Sequence, residues 1–203
     1  QGVEGVVTSL VILPDGDIVA CEFTIAAAAP RYRLFRWNGF EWSLMEASFG
    51  GGSAASVNAL AALPNGDLVV GGFFDSVGGI PVNNIARWNG SAWSGLGAGT
   101  SSSVYSLAVS PIGDLFAAGA FTAAGGAVAN RIARWDGASW SALGTGLDGP
   151  VHALVSGMRG DLVVGGQFTT AGGSVAPLMA RWSDSDGLAI TDQPVAAIID
   201  VGQ

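Results

Sequence analysis

Apolar positions along this chain fall into short runs broken by turn residues, and no stretch keeps a 3.6-residue period. "VNALAAL" and "GDLVVGGFF" are apolar runs of strand length, separated by a Pro-x-Gly-Asp turn. "NNIARWNG" and "SAWSGLG" follow, joined through Asn-Gly. Two-residue turns of this kind specify hairpins. The runs are close to continuously apolar rather than cleanly alternating, which implies sheets buried on both faces. The Gly content and the missing helical period exclude a helical solenoid, and a parallel β-helix would need shorter coils.

The pattern recurs. "VNALAALPNGDLVVGGFFDSVGGIPVNNIARWNGSAWSGLGAG" from Val57, "VYSLAVSPIGDLFAAGAFTAAGGAVANRIARWDGASWSALGTG" from Val104 and "VHALVSGMRGDLVVGGQFTTAGGSVAPLMARWSDS" from Val151 align directly, and a diverged copy starts at Val7. Leu10, Leu60, Leu107 and Leu154 recur at intervals of 50, 47 and 47. Each copy predicts a four-stranded antiparallel meander, here called a-b-c-d, and such sheets stacked face to face are the blades of a β-propeller. The expected fold is therefore all-β, a β-propeller of four-stranded antiparallel blades in four repeats of about 47 residues. The propeller is expected to span 1–187, with repeats near 7–56, 57–103, 104–150 and 151–187. Gly187 falls where Trp93 and Trp140 sit, so the last strand d is expected to be altered or missing. Residues 188–203 form a tail outside the repeat. Four copies can close alone, share an eight-bladed ring with a second chain, or leave edge blades for neighbouring subunits, and uncapped repeat ends favour self-association.

"LVVGG" closing strand b, "IARW" in strand c and the Trp of "SAWSGLG" in strand d resemble the kelch type of propeller repeat, over residues 7–182. Trp stands where that repeat has Tyr in strand c, and copy one has "ACEF" in place of the double Gly. The copies also resemble repeats of large secreted bacterial proteins, and the tail "LAITDQPVAAIIDVGQ" resembles the first strand of a bacterial immunoglobulin-like domain. The tail then begins a further domain or supplies a strand that pairs with another subunit. The resemblance implies architecture, since kelch-like propellers host binding modules and a few enzymes.

Composition narrows the function classes. Sixteen acids against eight basic residues, all Arg, give a net charge of −8, with a sequence pI near 4.3. That balance repels phosphate backbones and anionic membrane surfaces. The chain is 49% hydrophobic, with a mean hydropathy of +0.45, and shows no transmembrane helix. One Cys, Cys21, rules out an internal disulfide, and one His, His152, leaves a Ser-His-Asp or Cys-His site a single candidate. No cofactor or metal is expected. The opening "QGVEGVV" reads as the start of a processed or excised chain.

Candidate residues follow from repeat positions. Asp17, Asp67, Asp114 and Asp161 follow Gly in the a–b turn and are expected to accept turn amides. Arg36, Arg87, Arg134 and Arg181 each precede a Trp (Trp37, Trp88, Trp135, Trp182) and face the opposite side of the sheet. The Arg is expected to pair with a repeat Asp or stack on a ring of the next blade. Thr8, Asn58, Tyr105 and His152 form a polar set on the innermost strand, a candidate small-ligand rim. The b–c loops carry Ile80, Pro81, Val82, Val128, Val175 and Pro177, a candidate protein-contact surface. Their Gly-Gly pairs lack the helix and Lys of a phosphate loop. Asn89-Gly90-Ser91 is a glycosylation sequon in a c–d turn. Cys21 is expected to be a buried small hydrophobe. Arg159-Gly160-Asp161, an adhesion tripeptide on paper, aligns with "PDGD" and "PNGD" as an a–b turn with an incidental Arg.

The expected function is a non-enzymatic extracellular propeller, secreted or on the cell surface, that binds protein or assembles with itself into an oligomer or filament. A carbohydrate-binding propeller is the alternative. A glycan lyase or hydrolase would need titratable groups facing the channel, where Tyr105 and His152 are available. Nucleic acid and membrane insertion are not expected.

Overall fold

The computed structural model describes residues 4–26, 29–45, 47–157, 160–183 and 189–192. The first sheet comprises β1 (Val6–Ile12), β2 (Ile18–Ala26), β3 (Ala29–Trp37) and β4 (Trp42–Met45). The second comprises β5 (Ser56–Ala62), β6 (Leu68–Phe73), β9 (Ile85–Trp88) and β10 (Trp93–Gly95), with a small hairpin of β7 (Ser76–Val77) and β8 (Ile80–Pro81) between its middle strands. The third repeats this plan as β11 (Val104–Val109), β12 (Leu115–Gly119), β15 (Ile132–Trp135) and β16 (Trp140–Ala142), with the hairpin β13 (Ala123–Ala124) and β14 (Ala127–Val128). The fourth has β17 (Val151–Ser156), β18 (Leu162–Gly166), β21 (Met179–Ser183) and β22 (Ala189–Asp192), with the hairpin β19 (Thr170–Ala171) and β20 (Ser174–Val175). Every pairing is antiparallel.

The sheets stack in chain order, and their innermost strands pack side by side as β1 on β5, β5 on β11, and β11 on β17. Three cores fill the spaces between four sheets. Val19, Cys21 and Leu34 meet Leu60, Val70 and Ala86 in the first. Val69 and Ile85 meet Leu115, Ala117 and Ala133 in the second. Phe116, Ala118 and Ile132 meet Leu162, Val164 and Ala180 in the third. Each inner sheet therefore buries one face against the sheet before and the other against the sheet after, which is why its strands are apolar without alternation.

Two backbone devices make the stacking close. In β6, β12 and β18 a glycine at or next to the strand end lies against a carbonyl at the very start of strand a; a Cβ on Gly72, Gly119 or Gly166 would overlap the carbonyl oxygen of Ser56, Ser103 or Pro150. Those last two carbonyls accept the next amides along strand b, from Ala120 at 3.0 Å and Gln167 at 2.8 Å. The second device is the b–c hairpin. Gly78-Gly79, Gly125-Gly126 and Gly172-Gly173 all have positive φ at both positions. This is a type I′ turn, so these segments, expected as loops, fold as two-stranded caps. Gly125 packs against Trp140, which leaves the cap lying over strand d.

The first sheet departs from this plan. Its β2 and β3 run on as nine-residue strands without a small cap. Glu22 occupies the place of Gly72, and its carboxylate accepts the amides of Glu4 and Gly5. The closely packed glycine has moved to the facing segment, where a Cβ on Gly5 would overlap the Phe23 carbonyl. The last sheet departs from expectation too. Ala189–Asp192, assigned from sequence to the tail, pairs with Met179–Ser183 as a fourth strand, with a register shift between Arg181 and Trp182. Residues 193–203, which hold most of the segment expected to resemble an immunoglobulin-like strand, lie outside the described residues.

Leu115, fully buried between the second and third sheets, reports on this stacking. Leu115→Ala is expected to lower unfolding stability by about 2–5 kcal/mol, read by chemical denaturation.

Candidate functional site

The repeat residues come together as scaffold. Arg134 donates from Nε to Asp114 at 2.8 Å and its Nη2 lies 2.6 Å from the same carboxylate. Arg36 pairs with Asp17 and Asp15, Arg87 with Asp67 at 3.5 Å, and Arg181 with Asp161 at 2.6 Å. Each pair ties the start of strand b to strand c within one sheet. This corrects the expectation that the Asp carboxylates accept turn amides. In the first two copies that role belongs to the residue two places earlier, with Asp15 and Asn65 accepting the amides of Asp17 and Asp67. In the third copy the Ser110 hydroxyl accepts the amide of Asp114. Arg159 lies outside the described residues, while Gly160 and Asp161 belong to the a–b turn and to the Arg181 pair.

The strand-c Trp residues pair across to strand d. Trp37 and Trp42, Trp88 and Trp93, and Trp135 and Trp140 have centroids 5.6, 5.3 and 5.4 Å apart. Trp182 is buried in the third core. Trp140 also donates from Nε1 to the Leu96 carbonyl of the preceding sheet at 2.8 Å. Asn89 is exposed, but its Oδ1 accepts the amides of Ser91 and Ala92, as Asn38 and Asp136 do in the first and third copies. The sequon thus lies on a repeated Asx turn. Those amides hold the Asp136 carboxyl below the ordinary range.

Thr8, Asn58, Tyr105 and His152 share one structural feature that the sequence did not show. Each lies at the register shift in strand a, between Val7 and Ser9, Val57 and Ala59, Val104 and Ser106, and Val151 and Ala153. A bulge re-aims a side chain out of the pleat, and the row then makes contacts from blade to blade. Asn58 donates from Nδ2 to the Val104 carbonyl at 2.9 Å. The Tyr105 ring stacks on His152 at 5.3 Å with planes 17° apart. Thr8 donates to the Cys21 carbonyl of its own sheet at 3.4 Å. The polar rim is thus partly spent on joining neighbouring blades.

The b–c caps put a second set of residues on one face. Ile80, Pro81, Val128, Val175 and Pro177 are exposed, and the equivalent positions Val128 and Val175 reach 74% and 77%. Val82 is the correction. It is 6% exposed and packs in the first core, as Ala129 and Ala176 pack in theirs, so it is not available to a partner. Strand alternation accounts for this, because Pro81 and Val82 point to opposite sides. Beneath the caps, Asp148 accepts both the hydroxyl and amide of Thr169 and the amide of Thr170. Those bonds, the Thr169 hydroxyl foremost, hold its carboxyl far below the ordinary range.

Sequence reasoning missed two features. One is a pair of adjacent clefts between the first and second sheets, of about 450 and 300 Å³, both lined by Arg33, Ala47 and Ser48 and walled by Tyr32, Phe49 and Trp93. The other is Glu22, 0% exposed, which receives Arg33 at 2.6 Å. Burial pushes its carboxyl up, but the Gly5 and Glu4 amides and Arg33 outweigh it and hold it below the ordinary range. The "ACEF" departure was the available signal. Cys21 is fully buried, and burial raises its thiol to about 11. Among the described residues there is no group of three or more His, Cys, Asp or Glu placed to hold a metal ion. Among them no helix is long and apolar enough to cross a membrane.

Residues 63–90 match a family model described as a domain of unknown function (DUF5122) beta-propeller. No curated protein matches the chain. A solved structure, YCF48 bound to D1 peptide, is similar at 14% identity and a TM-score of 0.50, covering 92% of this chain and 52% of that one. The chain is built of β-propeller repeats. It spans about half the length of that solved neighbour, and at this identity the likeness concerns the fold alone.

Two outcomes follow. Since the Glu22 carboxyl is held low, its ion pair stabilises the fold above the unfolded value near 4.3 and is lost as pH falls through the lower folded value. Glu22→Gln is expected to flatten the fall in thermal stability between neutral and acid pH, read by calorimetry across a pH series. Cys21 is expected to react with a thiol reagent at neutral pH at least about 100-fold more slowly in native than in denatured protein.

Proposed function

We propose that this chain is a non-enzymatic, extracellular protein-interaction module that engages an extended peptide segment of its partner through the face formed by the b–c caps. The observation that carries the reading is the repeated exposure of apolar tips, Pro81, Val128 and Val175, at one equivalent position of successive blades. Each cap closes on an I′ turn, and Asp148 bonds the entry to the fourth-sheet cap while Ser101 bonds the entry to the third-sheet cap, so those tips are preorganised and bind at a lower ordering cost. Apolar groups gathered at equivalent positions on one face mark a contact surface. The peptide-bound state of the propeller YCF48 fits this kind of partner.

The non-enzymatic part is supported by how titratable groups are used. The repeat carboxylates face Arg partners, and Tyr105 and His152 lie ring to ring. A carbohydrate reading has less support, because the strand Trp residues pair with one another instead of offering open faces. The extracellular assignment rests on the resemblance to secreted bacterial repeats and on a surface without Lys.

A displayed random-peptide library selected on the purified chain tests the reading. Enriched peptides are expected to bind the native protein and to lose at least about tenfold in affinity against a Val128→Asp, Val175→Asp double variant. Selection without enrichment, or enriched peptides that bind the variant equally, would refute it.

A further inference from the structure

We propose that the pocket between the caps of the third and fourth sheets is a carboxylate site, in which Arg131 binds one Asp or Glu side chain of the peptide segment lying across those caps. The inference rests on the reading of the cap face as a peptide site and names what that peptide must carry.

At the junction of the second and third sheets this place is neutral and bonded shut. Asn84, 8% exposed, donates from Nδ2 to the Thr100 carbonyl at 2.7 Å. The Ser101 hydroxyl accepts the amides of Thr122 and Ala123. One repeat later both residues are charged, with Arg131 in the place of Asn84 and Asp148 in the place of Ser101. Asp148 keeps the bonding of Ser101, accepting the amides of Thr169 and Thr170 and the Thr169 hydroxyl. Arg131 does not keep that of Asn84. Its Nη1 donates instead to the Ala120 carbonyl of its own sheet. A pocket of about 320 Å³ lies at this junction, lined by Arg131, Thr145, Leu147, Asp148, Thr170 and Gly173.

Arg131 differs from the other arginines in what it faces. Arg33, Arg36, Arg87, Arg134 and Arg181 each meet a carboxylate. Arg131 is in no ion pair among the described residues, with Asp148 or any other acid. Its half-buried guanidinium gives one donor to a carbonyl, and Nε and Nη2 are left as a fork of parallel N–H groups. That fork matches a carboxylate in two parallel hydrogen bonds. The bond to Ala120 fixes it before a ligand arrives, which lowers the cost of ordering. Arg131 follows the cap that carries Val128, and Gly173 lies in the turn of the cap that carries Val175. A peptide spanning the two tips therefore crosses this pocket. Asp148 and the net charge of −8 disfavour a run of acids, so the pocket suits a single carboxylate with uncharged neighbours.

A displayed random-peptide selection on wild type and on Arg131→Asn tests this. Asn is the residue at the equivalent Asn84 and suits the positive φ of 67° that Arg131 adopts, so the variant is expected to fold, as circular dichroism checks. Peptides enriched on wild type are expected to carry one Asp or Glu at a fixed distance from their apolar residues. Exchanging that acid for its amide is expected to weaken binding to wild type by at least about tenfold and binding to Arg131→Asn by less than about twofold. Enriched peptides without a fixed acid, or an exchange that changes binding equally on both proteins, would overturn this inference. Either result leaves the cap reading standing, because that reading is judged on the Val128→Asp, Val175→Asp variant. A selection without enrichment would overturn both. If Arg131→Asn does not fold, the exchange measured on wild type decides alone, and an unchanged affinity overturns the proposal.

Discussion

The close approach of strand a to the end of strand b is the constraint on which the stack depends. At Gly72, Gly119 and Gly166 the carbonyl at the start of strand a sits where a side chain would begin. That approach lets the innermost strand tuck under strand b and then bulge within two residues, at Asn58, Tyr105 and His152. The bulge in turn sends these side chains to the next blade, as the Asn58 bond to Val104 and the Tyr105–His152 stack show. A missing side chain thus sets both the packing distance and the polar row along the inner edge.

Other devices hold what the close approach positions. Asp–Arg pairs lock the b and c strands of each sheet at one edge, while cross-strand Trp pairs weigh on c and d. Partly exposed ion pairs of this kind contribute modestly, on the order of 1 kcal/mol or less each, so the three apolar cores carry most of the stability. The first sheet shows that the constraint can be met another way. There Glu22 replaces the glycine, Gly5 takes over the tight contact from the opposite side, and Arg33 balances the buried charge. A buried carboxylate without such partners would be costly.

The period of 47, the hairpins at Asn-Gly and Asp-Gly, and the placement of Asp67, Arg87 and Trp88 on one scaffold could be read from residue types alone, because turns and strand alternation are local. What escaped reading depends on neighbours distant in sequence. The Gly-Gly pairs look like flexible loops until both residues are seen at positive φ in a closed two-strand cap. Val82 reads as an exposed loop valine, yet the alternation within β8 and its continuation turns it into the first core. The role of Glu22 rests on amides seventeen and eighteen residues away. The fourth strand of the last sheet lacks the Trp of its counterparts, so no local signal separated it from the tail.

Adjacent glycines in one strand offer the most direct test of the constraint. Gly165 and Gly166 have the same sequence neighbourhood, but only a Cβ on Gly166 would overlap the Pro150 carbonyl, and Ala118 already stands at the position equivalent to Gly165. Thermal unfolding of Gly165→Ala and Gly166→Ala should therefore differ. Gly165→Ala should stay within about 1 kcal/mol of wild type or gain slightly from reduced chain entropy, and Gly166→Ala should lose about 1–3 kcal/mol, or several degrees in Tm. Equal unfolding temperatures for the two variants, or an unaffected Gly166→Ala, would contradict the account.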